Sequence, residues 1–127
     1  MKKSTLTIAM TLLMLCCLSA CGEKPTPIAL PTAEDVTSIE IAGGKEDTIC
    51  TEKEKIAAFL QKASASKLTA EESVQDVPTV SKYTRVDLVC DGTVSSLFIY
   101  EKNAKWYIEQ PYEGIYETDE SILATIN

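Results

Sequence analysis

The chain has 127 residues, 19 acidic and 12 basic side chains, a formal charge of −7 and no histidine. That length supports one small domain, and the acidic balance argues against binding nucleic acid or docking on anionic lipid by charge alone. Without histidine, the commonest general base, the serine- and cysteine-protease triads and most zinc sites are excluded.

Lys2 and Lys3 precede a run from Leu6 to Ala20 that carries no charge. A positive start followed by about 15 apolar or small residues is the layout of a secretory signal, and it is short of the roughly 20 residues of a spanning helix. Leu18, Ser19, Ala20 and Cys21 close the run and resemble the bacterial lipobox. The resemblance implies a signal peptide over 1–20, cleavage between Ala20 and Cys21, and lipid on the Cys21 thiol. Cys16 and Cys17 then leave with the signal as apolar filler. The alternative is an ordinary signal peptide or a short uncleaved anchor. Cleavage leaves 127 − 20 = 107 residues and, with Lys2 and Lys3 gone, a formal charge of −7 − 2 = −9. The expected location is the cell membrane, lipid-anchored on its extracytoplasmic face.

Residues 22–35, GEKPTPIALPTAED, carry Pro25, Pro27 and Pro31. Such density favours extended backbone, so 21–35 reads as lipidated cysteine plus tether, with a reach of roughly 40 Å at about 3.1 Å per residue. The remaining 36–127 read as a small α+β domain.

Within it, 36–44 (VTSIEIAGG) predicts a strand and turn, with Ile39 and Ile41 facing inward. Thr51 and Glu54 have the spacing of a capping box. Ile56, Phe59, Leu60 and Ala63 follow as one apolar stripe of a helix ending near Ala65. Residues 66–81 lack a period and read as a long functional or irregular connection. YTRVDLVC is a strand with Val86, Leu88 and Cys90 on one face; Asp91-Gly92 is a hairpin signal. TVSSLFIYEK returns, Asn103-Ala104 turn again, and KWYIEQ is the last predicted strand. PYEGIYET reads as a fold-back, and DESILATIN as one or two helical turns. The expected architecture is β-α-β-β-β: one helix on a four-stranded, mainly antiparallel sheet, with a short C-terminal helix.

Candidate sites are few. Cys50 and Cys90 form an even pair that invites a disulfide in an exported domain, the alternative being two small core hydrophobes. Glu113, Glu117, Asp119 and Glu120 crowd one stretch without calcium-loop spacing and read as a solvated acidic face. Trp106, Tyr107, Tyr112 and Tyr116 make WYIEQPYEGIY the densest aromatic stretch. Alternation sets Trp106 and Ile108 on one face and Tyr107 and Glu109 on the other, one of which must be core. Tyr112 and Tyr116, with the 66–81 loop, are the candidate partner contacts, since stiff aromatic area is enriched in binding hot spots. No catalytic residue, metal site or cofactor is predicted.

The lipobox, the tether, PTAEDVTSIEI, SVQDVP and YIEQPYEGIY together resemble a family of small Firmicute-type bacterial lipoproteins built on a domain of unknown function. The EQPYxGIY ending is also similar to extracellular parts of BlaR1-type antibiotic-sensing receptors. The peptidase motif His-Glu-x-x-His of those receptors is absent, so the resemblance implies no protease activity. The function expected is a membrane-anchored accessory module binding an envelope protein or small ligand, with a role in envelope sensing or signalling. The alternative is an inhibitory or immunity-type lipoprotein, and an enzyme working through carboxylates comes third.

Overall fold

The structure, a computed structural model, describes residues 27–43 and 47–127. The signal peptide, Cys21 and the first part of the tether lie outside the described residues, as does Gly44. The elements are β1 (Val36–Ala42), β2 (Thr48–Cys50), α1 (Lys53–Ser64), β3 (Lys67–Leu68), β4 (Thr84–Cys90), β5 (Thr93–Lys102), β6 (Lys105–Gln110), β7 (Gly114–Thr118) and a closing 3-10 turn, Leu123–Thr125.

All seven strands join one antiparallel sheet in the order β2-β1-β4-β5-β6-β7-β3. This corrects the four-stranded expectation. β4 to β7 form a continuous meander, and β1 adds to it antiparallel beside β4. The short strands β2 and β3 are the two edges, and α1 leads from one to the other. Its twelve residues, about 18 Å long, therefore lie across one face of the sheet. β2 and β3 are too short to show a period. β7 was hidden by Pro111 and Gly114, which read as breakers. Gly114 stands in β7 because a Cβ there would lie 2.9 Å from Leu68 Cδ1 and 3.3 Å from the Tyr116 ring.

The first face holds the main core. Ile39, Val86, Leu88, Leu97, Ile99, Ile108 and Tyr116 project from the sheet to meet Ile56, Phe59, Leu60 and Ala63 of α1. Ile122 and Ile126, four apart around the 3-10 turn, are fully buried beside them. The inward stripe of α1 and the inward Ile39 and Ile41 are as expected. The capping box is not: α1 starts after Glu52, whose side chain makes no cap bond. Its far end is tied down instead, as Lys62 Nζ donates to Ser121 Oγ and lies 3.9 Å from Asp119.

The segment before β1 is shorter as a tether than its prolines suggest. Ile28 is buried in the core and Leu30 packs against it. The described chain is thus docked from Ile28 onward, since two apolar side chains stabilise contact more than solvated extension does.

Candidate functional site

β5 carries four consecutive buried residues, Leu97 to Tyr100. A strand buried at successive positions is covered on both faces, and the cover on the second face is the long connection from Thr69 to Tyr83. We call it the strap. Tyr83 packs edge-on against Phe98 at 5.3 Å between ring centres, Pro78 is buried, and Thr69 donates from both N and Oγ1 to the Ile115 carbonyl.

At the centre of this second layer is a buried carboxylate. Glu109 of β6 is 6% exposed. The strap's Ser73 hydroxyl donates to Oε1 at 2.8 Å, and the Tyr100 hydroxyl of β5 donates to Oε2 at 3.1 Å. Burial holds the Tyr100 phenol well above the usual tyrosine range, and the charge and hydrogen bond of Glu109 push it the same way. A cavity of about 70 Å3 lies alongside, lined by Glu109, Tyr100, Lys102 and the strap. Two neutral donors saturate one lone pair on each oxygen, and buried polar groups persist where such partners are supplied. The arrangement is a clasp between strap and sheet.

Both faces of β6 are therefore covered, with Ile108 and half-buried Trp106 on one and Glu109 and Tyr107 on the other. The alternation itself was legible; that a glutamate occupies the second layer was not. Four apolar residues in a row, Leu97 to Tyr100, were the signal that the second face is closed as well.

Tyr112 and Tyr116 separate. Tyr116 is 2% exposed and belongs to the main core, so it is no partner contact: β7 pairs it with Ile108 on the helix-covered face. Tyr112 is 64% exposed. It sits in a tight turn in which Glu113 N–H donates to the Gln110 carbonyl at 3.0 Å. Pro111 takes the second position and Tyr112 the third with φ +63°, the pattern of a type II turn with tyrosine in the place favouring glycine. Its hydroxyl donates to Asp76 Oδ1 of the strap at 2.7 Å. That bond raises the Tyr112 phenol above its ordinary value.

Between the strap and this turn runs a groove of about 360 Å3, bordered by Leu68, Val74 and Tyr112 with Glu71, Glu72 and Glu113. Glu71 is paired with Lys102 at 3.4 Å. Among the described residues, Glu72 and Glu113 have no salt-bridge partner. At the same end, Gln110 Nε2 donates to the Ala29 carbonyl at 2.7 Å, so the N-terminal segment enters beside the turn. A wider open depression of about 720 Å3 lies at a sheet end between Tyr83, Asn103 and Trp106.

The remaining candidates fall elsewhere. Cys50 is a buried free thiol and Cys90 a half-buried one. The pairing is prevented by topology: Cys50 aligns with Ile39, and Ile39 with Leu88. Strand β1 thus stands between β2 and β4, which sets their backbones about 9.6 Å apart against the roughly 7 Å limit for a disulfide. Glu113, Glu117, Asp119 and Glu120 are exposed, with Glu117 beside Lys105 at 3.6 Å. The Asp119 carboxyl is held below its ordinary value by the Ser121 hydroxyl and N–H and then by Lys62. Among the described residues, no three His, Cys, Asp or Glu side chains converge as a metal site requires. No helix of the described residues is long and apolar enough to cross a membrane.

The fold is similar to that of a solved relative. The NMR structure of a protein from Ruminococcus gnavus superposes with a TM-score of 0.67 at 35% identity, covering 76% of this chain and 99% of that one. No curated protein is significantly similar to the chain. A family model, DUF5301, described as a domain of unknown function (DUF5300), matches residues 24–117, which take in α1 and every strand but for the last residue of β7. The chain belongs to this family of domains of unknown function.

Proposed function

We propose that this chain is a membrane-anchored extracytoplasmic lipoprotein whose domain is a binding module, serving envelope sensing or signalling. The lipobox Leu18-Ser19-Ala20-Cys21 supports the anchor. The observation that carries the binding role is Tyr112: a large aromatic ring left 64% exposed, yet fixed in place by a strained turn and by Asp76. An aromatic side chain held rigid at the surface loses little entropy on contact, which is the property of a binding anchor.

Docking of Ile28 leaves six residues, 22–27, between Cys21 and the packed segment. Fully extended they span about 20 Å, so the module works close to the membrane. The turn bearing Tyr112 is at the anchored end, through the Gln110–Ala29 bond.

Cross-linking on intact cells, read by mass spectrometry, tests the reading. Wild type is expected to capture one envelope protein that Tyr112→Ala loses while staying folded and membrane-bound. If wild type captures nothing above background, the binding role is wrong. Tyr116 is unsuited as a control, because its truncation would open the core.

A further inference from the structure

We propose that the groove between the strap and the β6–β7 turn takes a basic peptide segment carrying an apolar side chain. The inference rests on the binding role given above and names its partner's chemistry. Seven large hydrophobic side chains are exposed on the described surface, and three of them, Leu68, Val74 and Tyr112, border this one groove. Its volume, about 360 Å3, is at the small end of ligand sites and admits side chains rather than a folded partner.

Charge selects among apolar occupants. Glu71, Glu72 and Glu113 surround the apolar border, and Lys102 offsets only the first of them. The whole chain is acidic as well, at −7. A ligand carrying carboxylate or phosphate would meet repulsion from the rim and the long-range field alike. A lysine or arginine meets two carboxylates, Glu72 and Glu113, that have no salt-bridge partner among the described residues, and the face of Tyr112, which attracts a cation. An apolar residue next to it fills the space between Leu68 and Val74. The groove lies beside the entry of the N-terminal segment, so an anchored module presents it toward basic segments at the membrane surface.

The test uses the 15N-labelled full chain in phosphatidylcholine nanodiscs and three blocked tripeptides: Lys-Phe-Lys, Glu-Phe-Glu and Lys-Ser-Lys. Lys-Phe-Lys is expected to shift amides of 68–74 and 110–114 and to bind about tenfold tighter than the other two, a difference of about 1.4 kcal/mol. Tyr112→Ala and the pair Glu72→Gln with Glu113→Gln should each weaken it about threefold or more, and salt should weaken it further. Equal binding of Glu-Phe-Glu, shifts centred on Ile49 and Val94 instead, or no binding of any tripeptide would overturn the proposal. Tyr112-dependent capture on cells together with failure of Lys-Phe-Lys would overturn the basic-peptide chemistry while leaving the binding role intact. Failure of both would remove the binding role itself.

Discussion

Among the described residues, Glu109 is the one acidic side chain that the fold buries. Its two oxygens accept from Ser73 and Tyr100 in a buried layer. Glu109→Ala leaves both hydroxyls without an acceptor and opens a void, so a loss of about 2–4 kcal/mol is expected in urea unfolding. Glu109→Gln keeps an acceptor and the volume, and should cost about half as much or less. Equal costs for the two would mean that the carboxylate is not a clasp. Tyr100 adds a pH signature. Its folded pKa lies above the unfolded value of about 10, so the unfolded chain releases this proton first as pH rises. The contribution is complete below pH 10 and declines above it, by up to about 1.4 kcal/mol per pH unit. Tyr100→Phe should flatten the alkaline limb between about pH 10 and 11.5, and an unchanged limb would refute the assignment. The two thiols give an independent check. Cys90, half-buried, should react with a thiol reagent in the native state, whereas Cys50 should react only on unfolding, and reductant should leave the stability unchanged. A reductant-sensitive transition would contradict the interposed strand β1.

At the scale of elements, the strap is the feature that distinguishes this sheet from an ordinary two-layer α+β domain. Its polar ties to the sheet and to the β6–β7 turn are few, namely Ser73 to Glu109, Tyr112 to Asp76, Lys102 to Glu71 and the Thr69–Ile115 bonds, beside the packing of Tyr83 on Phe98 and the burial of Pro78. Ser73→Ala should therefore speed hydrogen exchange of strap amides while β4 and β5 keep their protection, since local opening follows local contact density. A uniform increase across the sheet would mean that strap and sheet open as one unit. The helix, its inward stripe and the β4–β5–β6 meander were legible from periodicity, because each exceeds one repeat of its pattern and ends in a turn with fixed chemistry. Asp91-Gly92 joins β4 to β5 with Gly92 at φ +78°, and Asn103-Ala104 joins β5 to β6 with φ +54° and +62°. Edge strands of two or three residues carry no period, and β7 hides behind Pro111 and Gly114. The second layer could not be read either. Ser73 and Glu109 are 36 residues apart, and each alone has the composition of a surface residue.

In the function proposed above, the whole molecule combines a lipid anchor on Cys21, an N-terminal segment docked from Ile28 and a groove beside that segment. Cys21→Ala should release the protein from the membrane fraction without altering the domain, whose packed segment begins at Ile28. Retention in membranes with no acyl label on wild type would refute the lipid. The spacer of about 20 Å at most fits a module that meets its partner near the bilayer rather than far from it, while the acidic charge favours a basic partner over the lipid surface itself. The most direct test places a photo-reactive amino acid at position 112 or, as control, at 49 in the full chain on living cells. Ile49 is as exposed as Tyr112 but sits on β2, at the opposite edge of the sheet. One envelope protein cross-linked from 112 through a basic segment, and absent from 49, is the expected result. The same products from both positions, or none from 112, would contradict it.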